Sequence, residues 1–178
     1  MERQGIMKAL TAPMQQLGEF EEILRKIRTN RGVLQVSGCI DPQKPHFISC
    51  AAEGYDCRLI ITYSDLRARE LYENYRFFDR DVLYFPAKDL IFFQADIHSN
   101  LLEQQRIAVL KALAERKNVT VITTMAACMN HLMPSEIWQK QVLTFAPGDV
   151  LDMEAMKSTL VQLGYERTAQ AEGPGQFA

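Results

Sequence analysis

Cys57-Arg58-Leu59-Ile60-Ile61-Thr62-Tyr63 runs into Ser64-Asp65, and after one helix-length segment comes Asp81-Val82-Leu83-Tyr84-Phe85. The first run is short, apolar and rich in β-branched residues, which suits a strand buried among helices. Ser64 or Asp65 is a natural N-cap. Residues 66–78 then repeat apolar positions at helical spacing, with Leu71 and Tyr75 facing inward. The second run is another strand, ended by Pro86. Strand, helix and strand in this order are the alternation of a mainly parallel α/β sheet.

The pattern extends in both directions. Upstream, Leu17, Phe20, Ile23, Leu24 and Ile27 mark one face of a helix over 14–28, with Gly32 as its stop signal. Val33-Leu34-Gln35-Val36 reads as a strand, and residues 44–53 as a helix closed by Gly54. Downstream, residues 100–117 form a long helix with Leu101, Ile107, Leu110 and Leu113 on one side. Residues 118–124 form a further strand, followed by a short helix through Ala126 and Met129 that ends near Pro134. The expected fold is α/β, a doubly wound, mainly parallel sheet over residues 1–138. Ligands of such sheets bind beyond the carboxyl ends of the strands, where Ser37-Gly38 and Thr123-Thr124 are expected.

The tail reads differently. Residues 141–145 alternate like an exposed strand, Pro147-Gly148-Asp149 is a turn, and residues 153–163 form an amphipathic helix stopped by Gly164. Residues 165–168 read as a strand, 172–175 as a turn, and 176–178 as the start of a strand without a ladder of its own. A second, truncated α+β domain over 139–178 is expected, and the chain as a whole is read as a fragment. Trp138, the sole tryptophan, falls at the junction.

The chain has 178 residues, 47% hydrophobic and 24% charged, with net charge -2. This composition fits a folded soluble protein and argues against a broad nucleic-acid-binding surface. Neither a membrane span nor a signal peptide is legible, which places the chain in the cytoplasm. Cys39, Cys50, Cys57 and Cys128 form no close pair and read as reduced thiols. No metal site is expected from these spacings.

One loop carries a chemical question. A phosphate-binding loop needs Gly, four residues, then Gly-Lys-Ser/Thr between a strand and a helix. Gly38 and Lys44 hold two of these places, while Gln43 and Pro45 replace the second glycine and the hydroxyl. Gln43 disfavours positive φ, and Pro45 offers neither a hydroxyl to Mg²⁺ nor an N–H to phosphate. The same residues also read as a plain turn, with Pro at a helix start. A working nucleotide site and direct DNA binding are rival readings. Pro45 argues against the first, and the lack of an aromatic-basic run argues against the second.

Tyr84-Phe85-Pro86-Ala87-Lys88-Asp89, residues 100–124, Leu163-Gly164-Tyr165-Glu166-Arg167 and Pro174-Gly175-Gln176-Phe177-Ala178 occur in an order that resembles the N-terminal part of the bacterial transcription-repair coupling factors. This region is similar in turn to the excision-repair protein UvrB. The Arg-Gly-Gly strand that continues the last motif in the family is absent here. The resemblance implies a UvrB-like first domain that has lost its ATP site, with Gly38, Gln43, Lys44 and Pro45 as the vestigial loop. It implies a non-catalytic module, without a cofactor of its own, in a protein whose ATP- and Mg²⁺-dependent motors lie downstream. Those domains engage DNA and RNA polymerase. The second domain implies UvrA as partner and an autoinhibitory contact with the protein's own C-terminal domain. Arg167 and Phe177 are candidates for the partner-facing surface, since Arg and aromatics are enriched in interface cores. The family's principal UvrA-contacting side chains lie beyond Ala178 and are not carried over.

Overall fold

The computed structural model describes residues 11–29, 32–88, 96–115, 118–134, 136, 138, 142–173 and 175–178. Helix α1 spans Gly18–Thr29 and α2 spans Lys44–Ala51, the latter entered through a 3-10 turn at Asp41–Gln43. Strand β1 (Cys57–Thr62), helix α3 (Asp65–Tyr75) and strand β2 (Val82–Phe85) follow. Helix α4 (Asp96–Ala114), strand β3 (Val119–Thr124) and the short α5 (Met125–Cys128) complete the α/β part. In the tail come α6 (Met153–Gln162), β4 (Glu166–Arg167) and β5 (Gln176–Phe177).

The three longer strands form one parallel sheet in the order β1-β3-β2. Register places Ile60, Ile122 and Tyr84 in one row and Leu59, Val121 and Leu83 in the next. Successive residues of a strand point to opposite faces, so these rows belong to opposite sides. On the first side Ile122 and Tyr84 pack with Ala68, Leu71 and Tyr75 of α3, supported by Ile48 of α2. On the second, Val121, Val119 and Phe85 pack with Val109 of α4 and Ala127 of α5. Helices therefore cover both faces of a parallel sheet, as the sequence predicts. Burying a side chain such as Ile122, which is fully enclosed, stabilises the fold by about 1.5–3 kcal/mol.

Cover is uneven. β3 is buried along its whole length, while β1 alternates between exposed and half-buried residues. Leu59 is 59% exposed beside Val121 at 4% in the same row. Helix α4 thus shields β2 and β3 on this side and leaves the odd-numbered face of β1 bare.

A polar clasp locks the opposite end of the sheet. Arg58 donates to the Ala52 carbonyl (3.0 Å), Asp79 (2.9 Å), Thr120 (3.1 Å) and Asn118 (3.1 Å). Thr120 also donates to Asp79 at 2.6 Å. One guanidinium ties together the residues that lead into all three strands.

Four expectations need correction. Residues 33–36 form no strand, and Val33 is 96% exposed. Three apolar residues and a glutamine, without a described neighbour to share a ladder, have nothing to hold them extended. Residues 142–145 are likewise irregular and exposed, and Gln141 lies outside the described residues. The inward face of α4 carries Arg106 and Val109, while Leu101, Ile107 and Leu113 lie outward. Finally, residues 176–177 do have a ladder: they pair in parallel with β4, through Glu166 N–H to the Gly175 carbonyl and Thr168 N–H to the Phe177 carbonyl, each at 2.8 Å. Lys117, Phe92 and Phe93 lie outside the described residues.

Candidate functional site: the loop before helix α2

Gly38 sits at φ +87°, a conformation that side-chain-bearing residues rarely adopt. No strand precedes it among the described residues, so the frame of a phosphate-binding loop is half present: the helix follows, and residues 32–37 form no strand. Beyond Gly38 the chain winds directly into a 3-10 turn and then α2. Gln43 N–H donates to the Ile40 carbonyl at 3.0 Å, and Lys44 N–H donates to the Asp41 carbonyl. Pro42 and Pro45 carry no N–H. From position 42 to 45, therefore, no backbone donor is left for a ligand. Gln43 takes the N-cap position of α2 in ordinary right-handed geometry and makes no side-chain cap. Pro45 is buried in the first turn.

The side chains tell the same story. Lys44 Nζ lies 2.6 Å from Asp41 Oδ1, and Arg67 from α3 reaches the same oxygen at 3.1 Å. Arg67 also pairs with Glu70 at 3.0 Å. Two cations face two carboxylates, and the cluster is neutral. The hydrogen bond from Lys44, with the charge of Arg67 behind it, holds the Asp41 carboxyl below its ordinary range. A phosphate would compete with a carboxylate already in place. The residues present thus do not fit a magnesium-nucleotide complex: no hydroxyl or carboxylate is placed for Mg²⁺ at position 45, and positions 42–45 offer no free N–H.

Neighbouring hydroxyls at the carboxyl ends of the strands are committed to structure. Thr123 donates to the Phe85 carbonyl at 2.8 Å. Thr124 accepts from Ala127 N–H at 3.2 Å and caps α5. Tyr84 donates to Asp65, which also accepts from Arg69 at 2.7 Å. Burial and the hydrogen bond to Asp65 push the Tyr84 phenol well above its ordinary range. Burial acts to raise the Asp65 carboxyl, but the bonds from Tyr84 and Arg69 outweigh it and leave the group depressed. Arg106 is 96% buried, with its guanidinium 4.1 Å from the centre of the Phe85 ring and a bond to the Pro86 carbonyl. Burial lowers its pKa.

Between α1 and the loop lies a cavity of about 610 Å³. Phe20 of α1 and Phe47 of α2 meet edge to face at 5.7 Å beside it. Gln43 lines this cavity, whereas Lys44 does not.

Arg167 and Phe177, far along the chain, are brought together as register partners of β4 and β5. Arg167 is exposed and Phe177 half-buried. The structure does not bring this pair and the Gly38–Pro45 loop into one site. Sequence reasoning missed Asp41, the carboxylate that pairs with Lys44, and Arg67, which shares that carboxylate. The three-residue spacing of Asp41 and Lys44 was a usable signal for the first; Arg67 comes from a separate helix and left none.

Among the described residues, no helix is long and apolar enough to cross a membrane, and no group of three or more His, Cys, Asp or Glu side chains is placed to hold a metal ion. All four cysteines are free thiols.

No family model matches the chain. The chain is 31% identical over 100 residues to the transcription-repair-coupling factor of Bacillus subtilis (strain 168), covering 56% of this chain and 8% of that protein. It is 30% identical over 122 residues to the transcription-repair-coupling factor of Staphylococcus aureus (strain USA300), covering 67% of this chain and 10% of that protein. The chain therefore spans about a tenth of the length of the curated relatives it matches.

Proposed function

Because the chain is related in sequence to the transcription-repair-coupling factors, we propose that it is a non-catalytic module of such a factor. Residues 1–138 are a UvrB-like helicase α/β domain whose nucleotide loop is retired. Residues 139–178 open a second α+β domain of the UvrA-interaction type. The module contributes to UvrA recruitment in transcription-coupled nucleotide excision repair in the cytoplasm. It also contacts the factor's own C-terminal domain, which holds recruitment off. The whole factor is an ATP-dependent DNA translocase that displaces stalled RNA polymerase, and its ATP and Mg²⁺ belong to other domains. Arg167 and Phe177, paired across β4 and β5, form part of the partner-facing surface.

The observation that carries the non-catalytic reading is the loop: positions 42–45 keep no free backbone N–H, and Lys44 lies on Asp41. Catalysis of phosphoryl transfer rests on donors and cations placed around the phosphates. The rival is an active ATP-binding domain, favoured by the surviving Gly38 and by a Lys44 side chain that is 48% exposed.

Calorimetric titration separates the two. The chain is expected to take up UvrA and to give no heat with MgATP. Clear micromolar MgATP binding sinks the module reading in favour of the rival. Absence of UvrA binding, in a chain whose tail is folded, removes the recruitment role.

A further inference from the structure

The cavity beside the loop has a composition of its own. Leu17, Phe20 and Ile23 wall one side; Val36 and Phe47 wall the other. Ser37, Gln43 and His46 supply polar groups to the same space. Its volume, about 610 Å³, falls in the range of about 300–1,000 Å³ typical of small-molecule sites, which combine apolar walls with a few polar groups. Among the described lining residues Glu19 is the one carboxylate, and none is Lys or Arg. The nearest loop cation, Lys44, is held on Asp41.

We infer that this cavity is a binding site for an uncharged or singly cationic ligand with an aromatic-sized apolar body, and that it rejects anions, nucleotides included. Five aliphatic or aromatic side chains favour the apolar body through its removal from water. The charge preference follows from Glu19: an anionic ligand would meet this carboxylate and lose hydration with no Lys or Arg among the described lining residues to compensate. The inference goes beyond the module reading, which a ligand here neither requires nor contradicts.

Two fluorescent dyes test it directly. N-phenyl-1-naphthylamine and 8-anilinonaphthalene-1-sulfonate share one aromatic body and differ by a sulfonate. Titrated into the 178-residue chain, the neutral dye is expected to bind saturably at one site, and the sulfonate at least about tenfold more weakly. Ile23→Trp, which fills one wall, removes the saturable phase, and Val36→Trp does the same from the other wall should the first variant fail to fold. Glu19→Gln narrows the gap between the dyes. Leu59→Ser, on the bare face of β1, changes neither affinity. Equal affinities for the two dyes, no saturable binding, or binding lost in Leu59→Ser and retained in a folded Ile23→Trp would each overturn the inference.

Discussion

Asp41 holds Lys44: the lysine Nζ lies 2.6 Å from the aspartate Oδ1, three positions earlier in the chain. Both side chains are about half exposed, so the pair adds little stability. Its consequence is electrostatic. The one cation that a nucleotide loop would aim at phosphate is matched from within the loop itself, with Arg67 sharing the same carboxylate oxygen.

That pairing bears on attempts to restore the loop. Gln43→Gly with Pro45→Thr recreates the motif on paper. Pro42 still lacks an N–H, Asp41 still occupies Lys44, and residues 32–37 before Gly38 form no strand. The double variant is expected to show no MgATP binding by calorimetry up to the millimolar range. Adding Asp41→Asn is expected to produce the first measurable affinity for inorganic pyrophosphate. Micromolar binding by the double variant alone would show that Asp41 is no obstacle.

Arg58 is the most connected polar side chain of the α/β part. Its side chain and that of Asp79 are only 16% and 18% exposed. Arg58→Ala leaves Asp79 desolvated beside Thr120, so urea unfolding is expected to show a loss of about 3 kcal/mol. Thr120→Val, which removes one neutral donor, is expected to cost about 1 kcal/mol. Equal losses in the two variants would mean that the ion pair carries no special weight.

Asp65 gives the fold a pH dependence. Its folded pKa lies below its unfolded value of about 3.9. The carboxylate therefore stabilises the fold above that value, and the contribution fades as pH falls through the folded pKa. Native chain and Asp65→Asn should differ most at neutral pH, and the gap should begin to close as pH falls below about 4. Thermal melts across pH 3–7 check this, and a constant gap over that range would contradict it. Tyr84, raised by burial and by Asp65, stays protonated and donating throughout.

The tail offers a test of domain division. Asp152 caps α6 by accepting from Glu154 N–H (3.0 Å) and Ala155 N–H (3.2 Å). Asp152→Ala is expected to cost about 1 kcal/mol locally. In hydrogen exchange, residues 153–162 should lose protection while residues 119–124 keep theirs. In the native chain, residues after Gly148 should exchange faster than the α/β part. Joint loss of protection would make the chain one cooperative unit.

The three strands of the parallel sheet and the Ser64 cap were legible because each depends on local sequence: an apolar run, or a hydroxyl placed to accept from Arg67 N–H. Residues 33–36 misled because a short, mostly apolar run looks the same with or without a neighbouring strand. The face of α4 misled because Arg106 counts as polar in any hydropathy pattern, yet its stem and guanidinium lie over Phe85. The ladder between β4 and β5 depends on how a short loop closes, which residue types do not specify. At the site, the loop residues were visible, Asp41 among them at a pairing distance in sequence from Lys44, and the arginine that joins them was not. Arg67 meets Asp41 only after α3 has packed beside α2.

The bare face of β1 sets how this chain behaves in company. Leu59 and Ile61 lie open on a strand whose outer edge no other described strand takes up. Exposed apolar edges recruit further strands. Handled alone, the chain will meet its solubility limit there first, and a charge placed at Leu59 is the economical way to raise it.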